Sequence, residues 1–135
     1  MASVCFYFQV HQPFRVKDYR VFDVGNDNEY FNDKSDRSIN NEKILHKVAN
    51  KCYLPANAVL LELLNKHPEF KVSFSFSGVF LDQLEEFSPE TLESFQKLVA
   101  TGRAEVLEET YYHSLSFLYS PEEFRRQVAL HKAKI

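Results

Sequence analysis

The stretch FKVSFSFSG, residues 70–78, alternates strictly. Phe70, Val72, Phe74 and Phe76 fall on one side of an extended chain, and Lys71, Ser73, Ser75 and Ser77 fall on the other. A period of two is the pattern of a β-strand. Four large apolar groups on one side need a core to cover them, while the other side is polar. Gly78 opens the next element, so the segment predicts a strand that turns directly into a short helix ending near Phe87.

Downstream, Ser88-Pro89-Glu90 sets an N-cap, a first-turn proline and an acid at a new helix start. Leu92, Phe95, Leu98 and Val99 form its apolar stripe, and Gly102 suits its C-cap. AEVLEET (104–110) predicts a third strand, with Glu105, Leu107 and Glu109 on one face and Ala104, Val106 and Glu108 on the other. YYHSLSFLY follows as a loop. Ser120-Pro121-Glu122-Glu123 reads as a capping box with proline at the first helical position, opening a last helix through Phe124, Val128 and Leu130.

Upstream, residues 39–53 predict a helix with Ile44, Leu45 and Val48 on one face. A second helix follows Pro55, with Val59, Leu60, Leu63 and Leu64 as its stripe, and Pro68 stops it. Residues 14–38 form a long polar connection without clear periodicity. Its aromatics, Phe14, Tyr19, Phe22, Tyr30 and Phe31, argue against plain disorder. Its acidic part, residues 23–36, is rich in oxygen ligands but matches no EF-hand spacing, so it reads as a solvated loop. The chain begins with VCFYFQVHQPF (4–14), a first strand in which Val4, Phe6, Phe8 and Val10 alternate with Cys5, Tyr7, Gln9 and His11. Pro13 cannot donate to a ladder and ends it. Strands alternating with helices imply βαβ units, an α/β fold and a parallel sheet.

At 135 residues, 44% of them hydrophobic, the chain fits one globular domain or a piece of one. A compact chain of this size buries roughly two-thirds of its unfolded surface. Net charge is −3, and no basic cluster has the extent of a nucleic-acid footprint. No stretch approaches the ~18 apolar residues of a membrane span. Cys5 and Cys52 make no metal or redox spacing and read as reduced thiols of a cytoplasmic protein. The N-terminus lacks the charged region and cleavage site of a signal peptide.

In α/β sheets and barrels, sites gather at the carboxyl ends of the strands. Here those ends carry His11-Gln12-Pro13, then Ser75-Phe76-Ser77-Gly78, then Glu109-Thr110 with Tyr111, Tyr112 and His113. A barrel strand turns its apolar face to the helices, so Ser73, Ser75 and Glu105 would point inward. Glu105 is then either paired in a polar interior or placed on a solvated strand. Tyr111 and Tyr112 serve either as strand-end packing or as flat faces for sugar rings. His11, His113 and Glu109 form the only plausible metal-ligand set.

FQVHQPFR, GRAEVLEETYYHSL and YSPEEFRRQV together resemble the N-terminal part of glycoside hydrolase family 57, nearest its α-amylase-type members. HQP after a β-run, with G-x-x-E and Tyr-Tyr-His about ninety residues later, carries the resemblance. It implies the N-terminal portion of an irregular (β/α)7 barrel with about three of its strands, occupying residues 1–135. It also implies a retaining α-glucan hydrolase or 4-α-glucanotransferase acting on α-1,4-linked glucans, without a cofactor. His11 and Glu105 would line sugar subsites; Gln12, Pro13 and Gly102 match the same motifs. The family's glutamate nucleophile and aspartate acid/base would lie beyond Ile135, leaving this chain inactive alone. Gln9 stands where many members have a second histidine, and Glu108 where a glycine or alanine is expected. Two alternatives stand beside this reading: a metal-dependent carbohydrate deacetylase-like barrel, which would need the His11, His113 and Glu109 ligand set, and a non-catalytic carbohydrate-binding remnant. The candidate substrate-binding set is therefore His11, Gln12, Glu105, Glu109, Tyr111, Tyr112 and His113. An α-glucan is the expected partner, nucleic acid and membrane are not, and open sheet edges make self-association an expectation.

Overall fold

A computed structural model describes residues 4–31 and 40–135. Residues 32–36 of the acidic connection lie outside the described residues. Three strands, β1 (Phe6–Val10), β2 (Val72–Phe76) and β3 (Ala104–Leu107), form one parallel sheet in the order β1-β2-β3. Between β1 and β2 come α1 (Asn41–Val48) and α2 (Leu54–Lys66); between β2 and β3 come α3 (Gly78–Phe87) and α4 (Pro89–Ala100); α5 (Pro121–Lys134) ends the chain.

The registers Phe8↔Phe74↔Val106 and Tyr7↔Ser73↔Glu105 divide the sheet into two faces. Val10, Val72, Phe74, Phe76 and Ala104 on one face are buried against Leu45, Leu64, Phe80, Leu84, Phe95 and Leu98 from the helices. Phe95 stands edge-on to Phe76 with ring centroids 4.9 Å apart, and each such buried ring contributes about 1.5–3 kcal/mol. The serine side of β2 faces away from this core. On it, the Tyr7 and Ser75 hydroxyls share a 2.7 Å hydrogen bond.

Two boundaries differ from expectation. The helices predicted on either side of Pro55 run on as one rod, because residues Ala49–Tyr53 widen into a π-turn. The Leu54 amide donates back to the Ala49 carbonyl, and the wider turn takes in a proline that lacks an N–H and crowds an α-helical turn. The third strand ends at Leu107 rather than Thr110, because the Glu109 amide donates to His131 of α5 instead of to a strand.

The caps also divide. The Ser120 hydroxyl accepts from the Glu123 amide, but the Glu123 carboxylate takes Arg126 and Gln127 as donors. The Ser88 hydroxyl bonds the Thr91 hydroxyl at 2.8 Å. Gly102 has φ +69°, the left-handed turn its position after α4 requires. The connection after β1 is ordered over its described part: Tyr19 stacks on Tyr30 with centroids 4.6 Å apart, and the Lys17 amide donates to the Tyr30 carbonyl at 3.0 Å. Asn41, fully buried, ties that connection to α1 by accepting from the Arg15 amide at 2.9 Å.

Candidate functional site

The polar face ends in a cluster at the carboxyl ends of the strands. Alternation carries Gln9 and His11 to the same side of β1, and Ser75 and Ser77 to the matching side of β2. Ser77 is fully buried, and its amide extends the ladder to the Val10 carbonyl at 3.2 Å. Its hydroxyl meets His11 Nδ1 at 2.7 Å. One ring nitrogen of His11 is thereby engaged by the sheet.

His131 organises the third strand end from α5. It is completely buried. Its Nδ1 accepts from the Glu109 amide at 3.4 Å, so its Nε2 carries the proton and donates to the Phe76 carbonyl at 2.6 Å. A single neutral imidazole thus joins the end of β2 to the chain leaving β3.

The next residues turn sharply. The His113 amide donates to the Thr110 carbonyl and the Ser114 amide to the Thr110 hydroxyl, both at 2.9 Å. His113 takes φ +53°, alone in that region among the described non-glycine residues. Its ring lies over His11, with centroids 4.5 Å apart and planes tilted by 31°. Its Nδ1 is 3.2 Å from the Gln9 amide nitrogen and 3.4 Å from Glu109 Oε2. Glu109 Oε1 is buried and has no hydrogen-bond partner among the described residues. Burial holds the His11 imidazole below the ordinary histidine range; His113 adds to that effect, Glu109 opposes it and Arg15 reinforces it.

The structure therefore brings His11, Glu109 and His113 together. Gln12 turns toward the helices: its side-chain amide donates to the Tyr53 hydroxyl at 3.1 Å, and its carbonyl accepts from Gln83 at 2.7 Å. Glu105 shares the face of His11 but sits near the start of β3, accepting from the Ser73 hydroxyl at 3.3 Å. Four residues of strand separate its register position from the rim, about 13 Å at ~3.3 Å per residue.

Tyr111 packs on helix α3. A Cβ at Gly78 would lie 2.4 Å from its ring, and its hydroxyl donates to both Asp82 oxygens at 2.8 Å. Burial and the Asp82 carboxylate push that hydroxyl up to about 12. Lys134 completes the clamp, 3.0 Å from Asp82 and 2.6 Å from Glu85. Tyr112 keeps its ring half-exposed, its amide donating to Gln127 at 3.4 Å.

Gln9 and Ser77 belong to the cluster and were not among the candidates. Their signal was the period-two alternation that already placed His11 and Ser75. Among the described residues, no group of three histidine, cysteine or acidic side chains is arranged to hold a metal ion. His11 and His113 lie face to face, so their in-plane lone pairs do not aim at a common point.

Helices on one face, and polar groups gathered where three parallel strands end, define an α/β protein with a candidate site at the strand ends. The chain belongs to glycosyl hydrolase family 57, whose sequence model matches residues 5–135. It is 40% identical over 131 residues to a Methanocaldococcus jannaschii protein named "Putative alpha-amylase", covering 96% of this chain and 27% of that protein. It is 27% identical over 89 residues to a Thermococcus litoralis protein named 4-alpha-glucanotransferase, covering 66% of this chain and 13% of that one. The crystal structure of 4-alpha-glucanotransferase from Thermococcus litoralis matches with a TM-score of 0.62 at 23% identity, over 96% of this chain and 16% of that one. The chain thus spans about a quarter of the length of its Methanocaldococcus relative.

Proposed function

We propose that the chain forms the N-terminal part of a (β/α)7 catalytic barrel of a retaining enzyme that hydrolyses or transfers α-1,4-linked glucans in the cytoplasm. The observation that carries this is the convergence of His11, Ser77, Glu109 and His113 at three strand ends, in a chain of this family. Neutral imidazole, amide and carboxylate groups on a rim are suited to sugar hydroxyls, which both donate and accept. The half-exposed Tyr112 ring offers a flat face to apolar sugar C–H groups.

Binding and orientation are the work assigned to these residues. Retaining cleavage uses two carboxyl groups roughly 5–5.5 Å apart. Glu105 and Glu109 lie at opposite ends of the polar face and do not make such a pair, so the reacting carboxylates are assigned outside residues 1–135. Self-association through the open β1 and β3 edges belongs to the same proposal, since Phe6 and Phe8 are exposed on β1.

The test is a titration of the 135-residue chain with maltoheptaose, followed by amide NMR, together with an assay on soluble α-glucan. Shifts confined to residues 9–12, 77–78 and 109–113 without turnover are expected. Saturating sugar that leaves those amides unmoved would overturn the proposal, as would turnover by the chain alone. Sedimentation of the same sample tests association: a monomer at all concentrations removes that part.

A further inference from the structure

We propose that His113 is a positioning residue for His11, its imidazole held over the His11 ring by a left-handed backbone and flanked by Gln9 and Glu109. The role rests on the assignment of the rim as the sugar-binding site, because it says how one member of that site is kept in place.

The backbone is the first observation. A non-glycine residue in the left-handed region costs roughly 1–2 kcal/mol. Histidine is among the residues that enter it more often than most. Glycine would make the same Thr110–His113 turn without that cost. What glycine lacks is the ring, and the ring is what touches the site.

The contacts are the second. His11 is fixed along one edge by Ser77 at 2.7 Å and across one face by His113 at 4.5 Å. Edge and face together define a ring plane, which neither contact does alone. His11 Nε2 is then the nitrogen left to address a ligand. His113 is itself held between two partners. Its Nδ1 accepts from the Gln9 amide when unprotonated, or donates to Glu109 when it carries hydrogen, but cannot do both at once. Either way its ring stays anchored over His11.

The charges facing His11 follow from the same arrangement. His113 and Glu109 approach from beyond β3 and Arg15 from the connection after β1, while Tyr53 and Cys52 of the π-turn line a separate recess that His11 also borders. A protonated His113 disfavours a second proton on His11, and its ring shields His11 from water. Removing the ring lifts both effects and leaves Arg15 as the charge that opposes Glu109. The His11 midpoint should then rise.

The experiment follows histidine side-chain nitrogen shifts by NMR through a pH titration of the 135-residue chain, as wild type, His113→Gly and His113→Asn. Both substitutions suit the left-handed turn, and either variant alone decides the outcome if the other does not fold. The expected result is a His11 midpoint raised by about half a pH unit, a ~3-fold gain in proton affinity. Glu109→Gln should move it the other way. A folded variant at position 113 whose His11 midpoint and shifts match wild type would overturn the proposal. Maltoheptaose added to the wild-type sample separates the two proposals. A rim indifferent to sugar, with His11 still responding to position 113, removes the carbohydrate assignment and leaves the positioning role. A rim that binds sugar, with His11 indifferent to position 113, does the reverse.

Discussion

The polar face of the sheet has two ends, and they differ although the same strands make them. Near the start of β3, Glu105 and Ser73 form one long hydrogen bond, and Glu105 is open to solvent. At the carboxyl rim, Ser77 and His131 are fully buried, His113 takes a left-handed turn, and one oxygen of Glu109 is enclosed without a partner among the described residues. The strands supply alternation to both ends equally. The rim also receives further groups from elsewhere: a turn after β3, the start of α3 and a buried imidazole from α5. Polar groups on a sheet become a site where other elements enclose them and fix their geometry.

A set of substitutions and a pH series should sharpen or break that contrast, all read by chemical denaturation of the 135-residue chain. His131→Ala removes a buried ring and leaves the Phe76 carbonyl and Glu109 amide without their partner. The cavity and the orphaned groups should together cost about 3 kcal/mol. A loss below 1 kcal/mol would mean that α5 does not organise the rim. Gly78→Ala drives a methyl group into the Tyr111 ring, which Asp82 pins, and overpacking of this kind costs about 1–3 kcal/mol. Restoration of stability by adding Tyr111→Ala would identify the clash as the cause. Ser77→Ala removes the His11 partner and should cost about 1 kcal/mol.

The pH series gives a smaller effect with a definite sign. The His11 proton is held less tightly in the folded chain than in the unfolded one, whose midpoint is near 6.5. The unfolded state therefore binds more protons in the window below 6.5. The stability contribution is complete above 6.5 and is lost as pH falls through the lower folded midpoint. His11→Asn should flatten that part of the curve, and an unchanged slope would remove His11 as its source. Glu105→Gln is the control from the other end: an exposed carboxylate away from such features should change stability by less than about 0.5 kcal/mol. A larger loss would erase the distinction between the two ends.

Much of the sheet was legible because Phe and Ser alternate so cleanly in β2, and because apolar stripes mark most of the helices, with Pro68 and Gly102 marking where two of them stop. The same alternation put His11 and Glu105 on one face. What it did not reveal depends on contacts between distant residues. The early end of β3 is set by His131, which in sequence is one polar residue in a polar helix. Pro55 reads as a helix start, and only the π-turn before it shows that the rod continues. Gly78 reads as punctuation, whereas its missing side chain makes room for Tyr111. The ring of Tyr111 is accordingly taken up by helix packing, and that of Tyr112 remains open. His113 is legible as a histidine near a strand end, but its backbone conformation is not.

The two crossovers between neighbouring strands differ in span, about 60 residues from β1 to β2 and about 27 from β2 to β3, by their element bounds. Each doubling of a closing loop costs only about 0.6 kcal/mol more entropy. The longer crossover nonetheless asks far more chain to find its place before its first contact is rewarded, and such contacts slow folding. The unit β2–α3–α4–β3 should therefore assemble first, with Phe76, Phe80 and Phe95 already gathered, and β1 should dock onto it last. His11 rides on β1. The rim is then the final part of the chain to become itself, and pulsed hydrogen exchange during refolding should find the amides of Phe6–Val10 protected after those of Val72–Phe76.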